Sequence, residues 1–179
     1  MVAHEDCWRD GYVHVYTGDG KGKTTAALGL ALRAAGAGFN VFIAQFIKGL
    51  HYAELDALAP LADRIAIRQF GRGCFICRDP DPEDLAAARR GLDEVRAILR
   101  AGRHRVVILD EANVAVSCGL FPVEELVAVI EERPAAVELV VTGRNALPQV
   151  LERADLVTEM REVKHYYRRG VLARAGIDK

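Results

Sequence analysis

Eight residues near the start of the chain, Thr17-Gly18-Asp19-Gly20-Lys21-Gly22-Lys23-Thr24, restrict the fold more than any other feature. They lie between a run that reads as a strand, Tyr12 to Thr17 (YVHVYT), and an Ala- and Leu-rich run that reads as a helix, Lys23 to Ala37, closed by Gly36 and Gly38. In that position glycines let the backbone turn so that several N–H groups face one anion. Lys23 adds a mobile positive charge for phosphate oxygens. The Thr24 hydroxyl can ligate Mg²⁺, and the following helix offers its N-terminus to negative charge. This is the Walker A arrangement, with Thr17 where the consensus has its first Gly and with Gly18 and Gly20 supplying the flexibility.

The remainder of the chain repeats the same alternation of strand and helix, which predicts parallel strands joined by crossover helices. Asn40 to Ile47 (NVFIAQFI) is nearly continuous in apolar residues, as a strand buried on both faces should be. Ile65 to Phe70 is a further strand. Pro80 and Pro82 introduce a helix from Glu83 to Ala101, acidic early and basic late, as the helix dipole favours. Arg105 to Asp110 and Val137 to Thr142 read as core strands with a helix, Pro122 to Glu132, between them. A short helix near Asn145 to Arg153 and a short strand, Leu156 to Thr158, follow. The stretch from Lys164 onward is basic and aromatic and carries no secondary-structure assignment. The expected fold is therefore α/β, a P-loop, RecA-like, mostly parallel sheet with helices on both faces, in one domain spanning residues 1–179.

The run Val106-Val107-Ile108-Leu109 ends in two carboxylates, Asp110 and Glu111. Ligands of α/β sheets sit at the carboxyl ends of the strands, so these acids resemble a Walker B pair. Asp110 or Glu111 would hold Mg²⁺, directly or through water, because Mg²⁺ keeps several waters and takes only one or two carboxylates. Loop and acids together predict a Mg–nucleotide site.

A P-loop fold does not choose a reaction. The text around the motifs is more specific. The runs TGDGKGKTTAALGLALRAAG, QFIKG (45–49), LDEAN (109–113), TGR (142–144) and VKHYYRRGVLARAGID (163–178) together resemble the P-loop corrinoid adenosyltransferases, over nearly the whole chain from about Gly11 to Asp178. The resemblance implies that ATP is the co-substrate, Mg²⁺ the cofactor and a reduced corrinoid the acceptor. In that family cobalt(I) attacks C5′ of ATP, intact triphosphate leaves, and ATP lies reversed in the loop. The matching positions make Lys23, Thr24 and Glu111 the catalytic group. Gly18, Asp19, Gly20, Lys21, Gly22, Lys23, Thr24, Thr25, Arg33 and Glu111 would bind nucleotide, and Thr24 with Glu111 would hold the metal. Without the resemblance, Arg33 reads equally well as a solvated helix charge. The resemblance also implies a homodimer and an electron donor, a reductase or flavoprotein, that makes cobalt(I).

Two departures from the family pattern stand out. Some relatives carry a Phe and a Trp in the loop after the third strand, packed on the corrin. Here Cys74 and Ile76 fall at those places and Phe75 lies between them, so Cys74, Phe75 and Ile76 are the candidate corrinoid wall. Only about a dozen residues precede the first strand, with Trp8 their one large apolar side chain. Cysteines stand at 7, 74, 77 and 118. The C-x-x-C pair lacks a second ligand pair for structural zinc, so free thiols without stoichiometric zinc are expected.

Lys and Arg total 24 against 25 Asp and Glu, which argues against electrostatic binding of nucleic acid. No secretory h-region and no membrane-length apolar run is visible, so a cytoplasmic protein with no membrane partner is expected. Two other readings stay open: a small-molecule kinase, which would want an Arg-rich lid, and a nucleotide-dependent switch or assembly ATPase, whose output would be partner binding.

Overall fold

The computed structural model describes residues 9–73 and 79–178. Six parallel strands form one sheet: β1 (Val13–Thr17), β2 (Val41–Lys48), β3 (Ile65–Gly73), β4 (Val106–Asp110), β5 (Glu138–Thr142) and β6 (Leu156–Glu159). Their spatial order is β3-β2-β4-β5-β1-β6. The helices are α1 (Lys23–Gly36), α2 (Ala53–Leu58), α3 (Pro82–Ala101), α4 (Ala112–Ser117), α5 (Val123–Glu131) and α6 (Pro148–Leu151). The expected α/β architecture is thus present. The short helices α2 and α4 are additions, and β3 runs three residues beyond Phe70, where the apolar alternation has already ended.

Period-2 alternation divides the strands between two cores. Val41, Ile43, Val106, Ile108 and Val140 face α1 and α2. Phe42, Ala44, Phe46, Val107, Leu109, Leu139 and Val141 face the other layer, built from α3 to α6. Helix α1 meets the sheet through Ala27, Ala31 and Ala34, all nearly inaccessible to solvent. Such small side chains hold its N-terminus close to the strand ends. Helix α3 begins with a capping box in which the Asp81 carboxylate accepts from the Glu83 and Asp84 N–H groups, with Pro82 in the first turn. In that helix Gly91 is required by packing, since a Cβ there would lie 2.7 Å from Phe46.

The strand order places β5 between β1, which carries the phosphate loop, and β4, which carries the acidic pair. A site built on both must span this middle strand, and Thr142 at the end of β5 occupies that position.

Candidate functional site

The loop between β1 and α1 depends on glycine at defined points. Gly18 and Gly22 have φ of 88° and 117°, in the region open chiefly to glycine. At Gly18 and Gly20 a Cβ would lie 2.5 and 2.7 Å from the carbonyl oxygen of Met160. The loop is therefore packed against the chain that follows β6, and the Gly20 N–H donates to Met160 O at 2.6 Å. Lys23 is buried, its Nζ donating to the carbonyls of Gly18 (2.6 Å) and Gly20 (2.7 Å). Burial, then the neighbouring Arg144 charge, lower its pKa, against the opposing pull of Glu111 and Asp19. The ammonium thus rests inside the hollow of the loop.

The Thr24 hydroxyl donates to Asp110 Oδ1 at 2.8 Å, joining α1 to β4. Thr142 donates to the same oxygen at 2.8 Å and accepts the Glu111 N–H at 3.0 Å. That second bond holds Glu111 in its left-handed turn, with φ of 60°. The other Asp110 oxygen takes Lys48 Nζ at 2.9 Å and Gln45 Nε2 at 3.3 Å. Asp110 is fully buried, and both oxygens are occupied by these four donors.

Lys48 reaches Asp110 because β2 breaks its alternation. Residues 45 and 48 of a regular strand point to opposite faces. The pairing with β3 shifts register between Phe46 and Lys48, and Ile47 adopts φ of 68°. Ile47 joins the same core as Phe46, which turns Lys48 to the side of Gln45. A β-branched residue in that conformation costs on the order of 1–3 kcal/mol, and the ion pair is what this distortion makes possible. Burial lowers the Lys48 pKa, but Asp110 and then Glu54 (3.5 Å away) outweigh it, and the net shift is upward.

Glu111 differs from Asp110. Among the described residues its carboxylate has no hydrogen-bond donor, and burial, then the Asp110 charge, push its pKa up. A carboxylate in that condition gains most from a cation. The Thr24 hydroxyl, having given its hydrogen to Asp110, keeps its lone pairs for a metal. One carboxylate and one hydroxyl beside a phosphate loop match the donor set Mg²⁺ takes when phosphates and water complete its shell. The donor set would fit the metal, with the Glu111 carboxylate open to a cation and Asp110 holding Thr24 in place.

The remaining sequence candidates divide plainly. Asp19 is exposed, and its carbonyl accepts Arg144 Nη2 at 3.1 Å. Thr25 is exposed on the first turn of α1. Lys21 points away from the loop's hollow, towards Asp178. Arg33 sits in the last turn of α1, exposed, about 14 Å along the axis from Thr24 at 1.5 Å per residue. Nothing among the described residues ties it to the loop. Cys74, Phe75, Ile76, Cys77, Cys7 and Trp8 lie outside the described residues. Cys118, half-buried, is a free thiol.

Sequence reasoning assigned no role to Gln45, Lys48, Thr142 or Arg144, although each lies in a motif that it singled out. The signal for the first two was present: a Gln and a Lys closing an apolar strand buried on both faces need buried polar partners.

Fold and site define a P-loop nucleotide-binding protein in which the loop strand and the acidic strand are separated by one other. The family model of ATP:corrinoid adenosyltransferase BtuR/CobO/CobP matches residues 9–178. The corrinoid adenosyltransferase of Escherichia coli (strain K12) is 39% identical over 170 residues, 94% of this chain and 85% of that protein. Corrinoid adenosyltransferase CobA of Salmonella typhimurium is 37% identical over 170 residues, with the same shares. The Pseudomonas aeruginosa corrinoid adenosyltransferase is 34% identical over 169 residues, covering 94% and 83%. The chain belongs to the ATP:corrinoid adenosyltransferase family.

Proposed function

We propose that the phosphate loop, Thr24 and Glu111 form the centre at which this chain carries out the ATP-dependent transfer of an adenosyl group to a corrinoid, the reaction of its family. The observation that carries the assignment to this centre is the convergence of the Thr24 hydroxyl, Asp110 and the unpaired Glu111 carboxylate beside the loop. In this reading the cobalt(I) of the corrinoid donates an electron pair to C5′ of ATP. A Co–C bond forms, the C5′–O bond breaks, and triphosphate leaves with the bonding pair.

Negative charge then grows on the departing oxygen, and the residues around the loop are arranged to meet it. Lys23 leaves the carbonyls of Gly18 and Gly20 for phosphate oxygens, exchanging two neutral acceptors for charged ones. Arg144, bonded to the loop at Asp19, adds a second cation. Thr24 and Glu111 would hold Mg²⁺, which when bound would neutralise further charge on the triphosphate. No residue need act as a general base, because cobalt(I) carries no proton to remove. Asp110, saturated by its four donors, positions Thr24.

Arg33, exposed in the last turn of α1, stays a proposed nucleotide contact on the strength of the family resemblance alone. Cys74, Phe75 and Ile76 remain the proposed corrinoid wall, on the strength of the sequence register alone. A homodimer, a flavoprotein or reductase donor and a cytoplasmic setting complete the reading. They rest on the family resemblance, joined by the finding that no described helix is long and apolar enough to cross a membrane.

Anaerobic incubation with ATP, Mg²⁺ and a chemically reduced corrinoid tests the reading. The visible spectrum should change to that of an alkylcobalt(III) corrinoid, with one Co–C bond per ATP consumed. ATP consumed at an undiminished rate with no corrinoid present would favour the switch or assembly ATPase instead.

A further inference from the structure

The segment that follows β6, residues 160–178, contributes no side chain to either core, yet it is held to the phosphate loop at both ends, by Thr17 and Gly20 at its start and by Lys21 at its finish. At its start, Met160 O accepts the Gly20 N–H at 2.6 Å, and Met160 N donates to Thr17 O at 2.9 Å. At its finish, Lys21 Nζ donates to Ile177 O at 2.6 Å and pairs with the Asp178 carboxylate at 2.9 Å. The intervening residues fold back around Asp178. The Tyr166 hydroxyl donates to it, as do the Arg174 N–H (3.1 Å) and Nε (3.3 Å). The Arg174 guanidinium lies 4.5 Å from the centre of the Tyr166 ring. A segment whose residues are otherwise largely exposed thus keeps the Asp178 side chain 12% exposed.

From this geometry we infer that Asp178 is a positioning residue for the phosphate loop: the segment is a clamp, closed by the Lys21–Asp178 pair, that holds the loop in its anion-binding shape before nucleotide arrives. Lys21, drawn outwards, fixes the peptide planes on either side of Gly20 and Gly22, and Gly22 holds a φ of 117°. A loop without the clamp must be ordered by the nucleotide, so the ordering entropy is taken from binding affinity. The bound state is the same in both cases, so turnover at saturation is spared. The inference rests on the reading of the loop as the ATP site.

The test measures equilibrium Mg–ATP binding, kcat with prereduced corrinoid, thermal midpoint and hydrogen exchange of residues 18–24 for the full chain and its variants. Asp178→Asn should weaken ATP binding about tenfold, leave kcat at saturating ATP within about twofold and speed exchange of the free loop. The midpoint should move by less than about 2 °C, since no core residue is touched. Lys21→Met combined with Asp178→Asn should weaken binding no more than about threefold beyond Lys21→Met alone, because both remove one contact. Asp178→Glu should recover most of the affinity. Unchanged ATP affinity in Asp178→Asn would overturn the inference. So would a fall of kcat together with a midpoint lowered by more than about 5 °C, which would make the segment a support of the fold. Failure of the wild-type chain to bind Mg–ATP would instead contradict the reading of the loop itself.

Discussion

Lys23→Ala and Thr24→Ala each lower kcat/KM by at least about a hundredfold, the usual cost of losing a group that meets charge developing in the transition state. The two should fail differently. Without Lys23 the leaving triphosphate loses a cation that sits within the loop hollow and has no substitute nearby, since Lys21 is engaged with Asp178 and Lys48 with Asp110. Arg144 remains, but it is exposed and bonded to Asp19. Without the Thr24 hydroxyl, one proposed metal ligand and the link to Asp110 disappear together. The Thr24→Ala enzyme should therefore also respond more weakly to added Mg²⁺, whereas Lys23→Ala should keep its Mg²⁺ dependence. Steady-state kinetics with prereduced corrinoid and a Mg²⁺ titration of each variant check this. Near-wild-type activity in either would mean that the loop is not positioned as argued.

Lys48→Met is expected to be the most damaging substitution to stability in the site. It leaves the Asp110 carboxylate buried without its one cation, with Thr24, Thr142 and Gln45 as neutral donors. Breaking a buried pair from one side costs about 3 kcal/mol or somewhat more. For a chain of this size that lowers the thermal midpoint by about 6–12 °C. It also leaves Ile47 in a strained conformation with nothing to offset it. Activity should fall with stability, because Asp110 orients Thr24. Lys48→Arg should retain much of both by preserving the charge. Calorimetry of the two variants reads the difference, and a Lys48→Met protein as stable as wild type would remove the pair from the account.

The sheet was largely legible in the sequence because its strands obey one simple constraint. Strands β2, β4 and β5 are buried on both faces, so their apolar runs are continuous and bounded by polar residues. The glycine loop was equally legible, since a strand, three glycines and Lys-Thr in order leave few other uses. What stayed hidden depends on contacts far apart in the chain. The turn of Lys48 towards Asp110 arises from a register shift against β3, and 62 residues separate the paired groups. The bridge made by Thr142 depends on β5 lying between β1 and β4, and sequence order does not reveal that arrangement. The division of labour between Asp110 and Glu111 follows from who donates to each. Both are carboxylates in adjacent positions, and only the folded site shows one saturated and the other free. Helix α4 was missed because six residues, Ala112–Ser117, are too few to show a helical period. The segment after β6 was unreadable for a different reason: it is held by polar contacts to the loop and so carries no apolar pattern.

In the proposed reaction the loop expels triphosphate from C5′ of ATP and does not transfer or hydrolyse its terminal phosphate. Phosphorus NMR of an anaerobic reaction containing ATP, Mg²⁺, prereduced corrinoid and the full chain tests this most directly. The account predicts inorganic triphosphate as the first phosphorus product, appearing in step with the Co–C bond. ADP and phosphate, or ADP and a phosphorylated acceptor, appearing first and in proportion to turnover would contradict it.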